Sequence, residues 1–88
     1  MNNNIKADIF KALSNPMRLE IIELLYSGEK CVCEIVEKLN YAQPHISKGL
    51  KTLKKAGIIK QRKIGLNVYY RLTLLCVKNF LECLNKQL

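Results

Sequence analysis

The stretch EKCVCEIVEKLN, residues 29–40, places Cys31 and Cys33 one residue apart, where the pattern reads as the start of a helix. Thiolates are the ligands that soft metals and arsenite bind, and the free amides and dipole of a first helical turn favour the thiolate form. Val32, Ile35, Val36 and Leu39 follow helical spacing and form one apolar stripe. Val32 is therefore expected to face the core, with the two cysteines about 100° to either side, at the margins of the stripe. Structural cysteines are usually buried as small hydrophobes, and two at the edges of one stripe fit that role poorly. Geometry raises an objection to chelation. Side chains at i and i+2 of a regular helix point roughly 200° apart, so the pair can share an ion only if the first turn is irregular or opens. A thiol redox switch, or cysteines that sense nothing, are the alternatives. Cys76 and Cys83 are additional candidate ligands. Seven residues put them about 10 Å apart along a helix, too far to chelate one ion together or to join as a disulfide, so packing is their expected role.

Charge is the second chemistry. Fifteen Lys and Arg against seven Asp and Glu leave a net charge of +8 on 88 residues, which points to a polyanionic partner, nucleic acid before membrane. Residues 48–63, KGLKTLKKAGIIKQRK, hold Lys48, Lys51, Lys54, Lys55, Lys60, Arg62 and Lys63 and no acid. On a helical wheel Ile46, Leu50 and Leu53 share a face, and Lys48, Lys51 and Lys55 occupy the opposite one, flanked by Thr52 and His45. Lysines and arginines attract phosphates, and Arg62 and Lys63 extend that surface. Gln43, His45, Ser47 and Thr52 can form directional hydrogen bonds to base edges or phosphates. Gln43 has an alternative use as a helix cap, and Ser47 as a donor to its own helix.

The elements that must position these groups are legible in the periodicity. A first helix carries Ile5, Ile9, Phe10 and Leu13; a second opens at Asn15-Pro16, an N-cap followed by a proline that needs no amide hydrogen. The cysteine segment is the third helix, and a fourth runs from Gln43-Pro44 to Ala56, with Gly57 as its stop. Helices three and four, joined by a short turn, form a helix-turn-helix unit. The period then changes: IIKQRK and NVYYRLT, on either side of IGL, read as a hairpin. From Thr73, the expected N-cap, a last helix carries Leu74, Val77, Leu81, Leu84 and Leu88. The expectation is a mainly α fold with a β-hairpin wing, a winged helix-turn-helix ordered as four helices, two strands and a helix, in a single domain over residues 1–88.

No apolar run approaches the roughly 20 residues of a membrane span, and MNNNIKAD lacks the basic and apolar regions of a secretion signal. A cytoplasmic protein with reduced thiols, not two disulfides, is therefore expected. An enzyme is not expected: the single histidine, His45, lies on the basic helix, and there is no nucleophile–base pair or phosphate-binding glycine loop. The last helix has an apolar arc near half its circumference, wider than one small core covers, so a second copy is expected on it.

LSNPMRLEIIELL, CVCEIVEKLN, AQPHISKGLKTLKKAGII and VYYRL stand in order at natural spacings, and together they resemble the ArsR family of winged-helix repressors over about residues 7–73. The resemblance implies a repressor that binds an imperfect palindrome in double-stranded operator DNA. It implies a homodimer whose first and last helices meet, which places Ile5, Ile9, Leu74, Val77, Leu81 and Leu84 at the interface. No obligatory cofactor is implied, but an effector that releases the DNA is. Cys31-Val32-Cys33-Glu34 matches the family's metalloid and soft-metal motif, so the expected effector is arsenite or antimonite, or cadmium or lead. The chain departs from the family in three places. Val36 stands where arsenite sensors often carry a third cysteine, residues 1–30 contain none, and Gly49 replaces a larger residue in the fourth helix. The last helix has no histidine and one acid, Glu82, which disfavours the zinc or nickel site some relatives build there.

Overall fold

The computed structural model describes residues 2–88. The chain runs through helices α1 (Asn3–Leu13) and α2 (Pro16–Leu24), a 3-10 turn (Leu25–Ser27), a two-residue strand β1 (Lys30–Cys31), and helices α3 (Val32–Lys38) and α4 (Gln43–Lys55). The wing follows as β2 (Ile59–Ile64) and β3 (Asn67–Leu72), and α5 (Leu75–Gln87) closes the chain. The expected winged helix-turn-helix is present, with one addition. The wing is a three-stranded antiparallel sheet in the order β1-β3-β2, not a lone hairpin.

Local chemistry explains the boundaries. The Asn15 side chain accepts from the Arg18 amide at 3.0 Å, and Pro16 takes the first helical position, as the sequence predicts for α2. The Arg18 guanidinium reaches back to the carbonyls of Ala12 and Lys11 at 2.6 and 3.1 Å, satisfying the free end of α1 and locking the first two helices together. Helix α4 stops in a Schellman motif. The Ile58 amide donates to Leu53 and the Gly57 amide to Lys54, with Gly57 at φ 81°. Leu53 and Ile58, the apolar pair that accompanies this motif, are both fully buried.

One expected cap is corrected. Thr73 does not open α5: its amide and hydroxyl both donate to the carbonyl of Ile58, and the N-cap position falls to Leu74, which has no side-chain cap bond. Thr73 is spent on pinning the last helix to the start of the wing.

A single core joins these pieces, centred on Ile21, Ile22, Ile35, Ile46, Leu50, Leu53, Ile58 and Ile59, all at 1% exposure or less. Each such side chain contributes about 1.5–3 kcal/mol through burial. Gly49 sits in the same layer and answers why α4 carries a glycine there. A Cβ at this position would stand 2.7 Å from the terminal methyl of Met17, so the glycine lets α2 and α4 approach closely.

Candidate nucleic-acid interface

Helix α4 buries Ile46, Gly49, Leu50 and Leu53 and turns its other face outward. Gln43, His45, Ser47, Lys48, Lys51 and Lys55 are all exposed. Gln43 does not cap the helix, whose N-cap is Ala42, and among the described residues Ser47 makes no hydrogen bond through its side chain. Both are free to meet a ligand. Thr52 differs: it is half-buried, and its hydroxyl donates to the Lys48 carbonyl at 3.2 Å, leaving only its lone pairs for a partner. The Tyr41 hydroxyl donates to Glu20, fixing the turn before α4 onto α2, and that bond holds the phenol's pKa above its ordinary value. A cleft of about 390 Å³ between α2 and α4, lined by Asn15, Arg18, Tyr41, His45, Lys48 and Thr52, continues the polar surface beside the helix.

The wing adds exposed Lys60 and Lys63, and its tip presents Leu66, 96% exposed, next to Gly65. Arg62 departs from expectation. Its guanidinium forms a fork with Glu29, Nε to Oε2 at 2.8 Å and Nη2 to Oε1 at 2.7 Å, so it is not a free cation like its neighbours. The fork, and the nearby charges of Arg62 and Arg71, hold the Glu29 carboxyl below its ordinary pKa. No sequence signal exposed this pairing, because the partners are 33 residues apart.

The cysteine pair also differs from the expected helical picture. Cys31 is not in the first turn: it is the N-cap of α3, extended at φ −79° and ψ 162°, and it ends β1 opposite Tyr69. Leaving the helix removes the 200° divergence, and the Cα atoms of Cys31 and Cys33 stand 5.3 Å apart, inside the range a disulfide spans. The two are joined as a disulfide, where reduced thiols were expected. Burial is redistributed as well. Cys31, at 5% exposure, is the core residue, Val32 is only half-buried, and Cys33 is exposed. The Cys31 sulfur accepts from the Glu34 amide at 3.3 Å while the Glu34 carboxylate accepts from the Cys31 amide at 3.1 Å, a capping box built on a cysteine.

Two soft donors held this close, one of them solvent-exposed, suit a thiophilic ion once the bond between them is open. Among the described residues no cluster of three or more Cys, His, Asp or Glu surrounds them, so a third donor is not supplied by this protomer. Cys76 and Cys83 are free and exposed on α5.

The expected dimer residues divide. Val77 is buried within the protomer's own core, which corrects its assignment to the interface, and Ile9, Leu74 and Leu81 are half-buried against that core. Ile5 and Leu84 are exposed, together with a pair the sequence reading left out: Phe10 of α1 and Phe80 of α5, 62% and 48% exposed, packed edge to face with centroids 6.4 Å apart. The apolar spacing of Phe10 was its only signal. Among the described residues no helix is long and apolar enough to cross a membrane.

Comparison with known proteins gives one consistent result. The family model described as "Bacterial regulatory protein, arsR family" matches residues 15–61. An HTH-type transcriptional regulator of Methanocaldococcus jannaschii is 53% identical over 66 residues, covering 73% of this chain and 74% of its own length. An arsenical resistance operon repressor of Staphylococcus xylosus is 38% identical over 80 residues, covering 91% and 73%. Among solved structures, the homodimeric winged helix-turn-helix DNA-binding domain from Mycobacterium bovis superposes with a TM-score of 0.88 at 28% identity, covering 96% of this chain and 81% of that one. The transcriptional repressor BigR from Xylella fastidiosa gives 0.86 at 31% identity, covering 94% and 85%.

Proposed function

The chain belongs to the ArsR family of DNA-binding transcriptional repressors, and from that premise we propose that a thiophilic ion, arsenite first, binds Cys31 and Cys33 and releases the protein from its operator. The observation that carries this reading is the place of Cys31. It stands outside α3, so its sulfur and that of Cys33 meet, and the same sulfur caps the first helix of the DNA-reading unit. A bound ion supplies metal–sulfur bonds that compete with this cap. Cys31 then gives up the Glu34 amide, α3 loses its first-turn support, and α4, which packs on α3, loses its set against the major groove. Lys48, Lys51 and Lys55 meet phosphates, and Gln43, His45 and Ser47 stand at the start of α4, where such helices meet base edges.

Supporting a homodimer is the apolar face of Ile5, Phe10, Phe80 and Leu84 across α1 and α5, and the homodimeric state of the M. bovis neighbour. A twofold assembly in the cytoplasm would place two α4 helices on the half-sites of a palindrome.

A second reading is favoured by the disulfide itself. Oxidation would close the pair, withdraw both thiolates from any ion, and make the repressor respond to redox state. One titration separates the two. Reduced protein is bound to a duplex selected from a random pool, then arsenite, cadmium, lead or an oxidised low-molecular-weight disulfide is added. Arsenite is expected to weaken binding by about tenfold or more. The variant with Cys31→Ser and Cys33→Ser keeps the affinity and loses the response; release of that variant by arsenite would put the sensing site elsewhere.

A further inference from the structure

The cysteine pair is wired to the wing as well as to α3. Strand β1 is only Lys30 and Cys31, and its sole strand partner is β3, with Lys30 opposite Tyr70 and Cys31 opposite Tyr69. Tyr69 is in turn opposite Arg62 on β2, so Cys31, Tyr69 and Arg62 form one row across the sheet, and directly paired residues share a face. Glu29 stands two residues before Cys31 and reaches over β3 to grip Arg62 with both carboxylate oxygens. Fifteen cations and seven acids could make many ion pairs. Among the described residues this is the only one within salt-bridge distance, and it joins the segment leading into the cysteines to the far strand of the wing. A planar guanidinium held by two parallel bonds fixes direction as well as distance, which a single lysine contact does not.

We propose that Glu29 is a positioning residue that couples the wing to the cysteine pair: its fork with Arg62 carries a displacement of Cys31 across β3, so the state of the two sulfurs sets where β2 and its cations stand beside α4. The proposal rests on Cys31 and Cys33 being the sensing site. The link has two rungs, the backbone pairing of β1 with β3 and the Glu29–Arg62 fork, and only the fork spans to β2 directly. Without it a shift of Cys31 reaches β3 through a two-residue ladder and fades before Arg62.

The test uses the intact protein as wild type, Glu29→Gln, and Arg62→Lys, which keeps the charge and loses the fork. Three quantities are read: arsenite bound, from thiolate–arsenic absorbance; affinity for a duplex selected from a random pool; and hydrogen exchange of the β2 and β3 amides, compared between the disulfide form and the form reduced by a phosphine. Both variants are expected to bind arsenite with wild-type stoichiometry. Their release from the duplex should fall from about tenfold to under about threefold, and exchange in β2 should cease to respond to reduction. Arg62→Lys must behave as Glu29→Gln does, because the lost fork and not a lost charge is the cause. A full wild-type response in either variant overturns the proposal. If wild type binds arsenite yet keeps its DNA, the arsenite reading fails by itself. The exchange arm then decides: a wild-type response to reduction in β2 that Glu29→Gln abolishes upholds the coupling, and equal behaviour of the two proteins sinks it.

Discussion

Cys31 performs three tasks with adjacent atoms: its backbone ends β1, its sulfur caps α3, and the same sulfur is one of the two that can hold an ion. The cap can be tested apart from the sensing. Serine is among the preferred N-cap residues, so under reducing conditions Cys31→Ser should melt close to wild type, while Cys31→Ala loses about 1 kcal/mol from the missing acceptor. Thermal denaturation followed by circular dichroism distinguishes the two. The lysines of α4 make a different prediction, about DNA. Lys51→Ala removes one exposed cation from the helix and should lower the slope of log affinity against log salt by about 0.9 without changing the melting temperature. At this scale the outward residues of α4 were legible in the sequence because a helical wheel sorts them from Ile46, Leu50 and Leu53. The partner of Arg62 was not, since no local period connects residues 33 positions apart.

Elements with a period announced themselves; those without one did not. Helix α4 and the strands β2 and β3 carry enough turns or alternations to be read, whereas β1 is two residues long and exists only because β3 offers it an edge. Its presence pulled Cys31 out of α3 and turned an apparent obstacle to chelation into a close pair. Thr73 misled for a related reason: a threonine before a helix reads as a cap, but here the Ile58 carbonyl competes for it from across the fold. Gly49 gives the test at this scale. Alanine in its place gains about 1 kcal/mol of helix propensity, and its Cβ meets only the flexible end of Met17. Gly49→Ala should therefore melt within a few degrees of wild type. Gly49→Leu, with no room between α2 and α4, should lose about 1–3 kcal/mol, measured by denaturant titration.

On the scale of the whole molecule, α1 and α5 leave an apolar face that the protomer does not cover, with Phe10 and Phe80 at its centre. The breadth of the apolar arc on α5 was visible in the sequence. Which of its residues turn inward was not, because Val77 is buried by packing against elements distant in the chain. Phe80→Glu should give a monomer in sedimentation velocity that keeps its helical content but binds duplex at least about tenfold more weakly, since two linked half-site contacts become one. The single ion pair among the described residues has a consequence for how the protein responds to its medium. A net charge of +8 with almost no internal pairing means that the fold is held by its core against its own electrostatic repulsion. Added salt screens that repulsion and should raise the melting temperature of the free protein. The same salt strips it from DNA. Thermal stability and operator affinity should therefore move in opposite directions along one salt titration, and a buffer chosen to preserve the protein will be a poor one in which to watch it work.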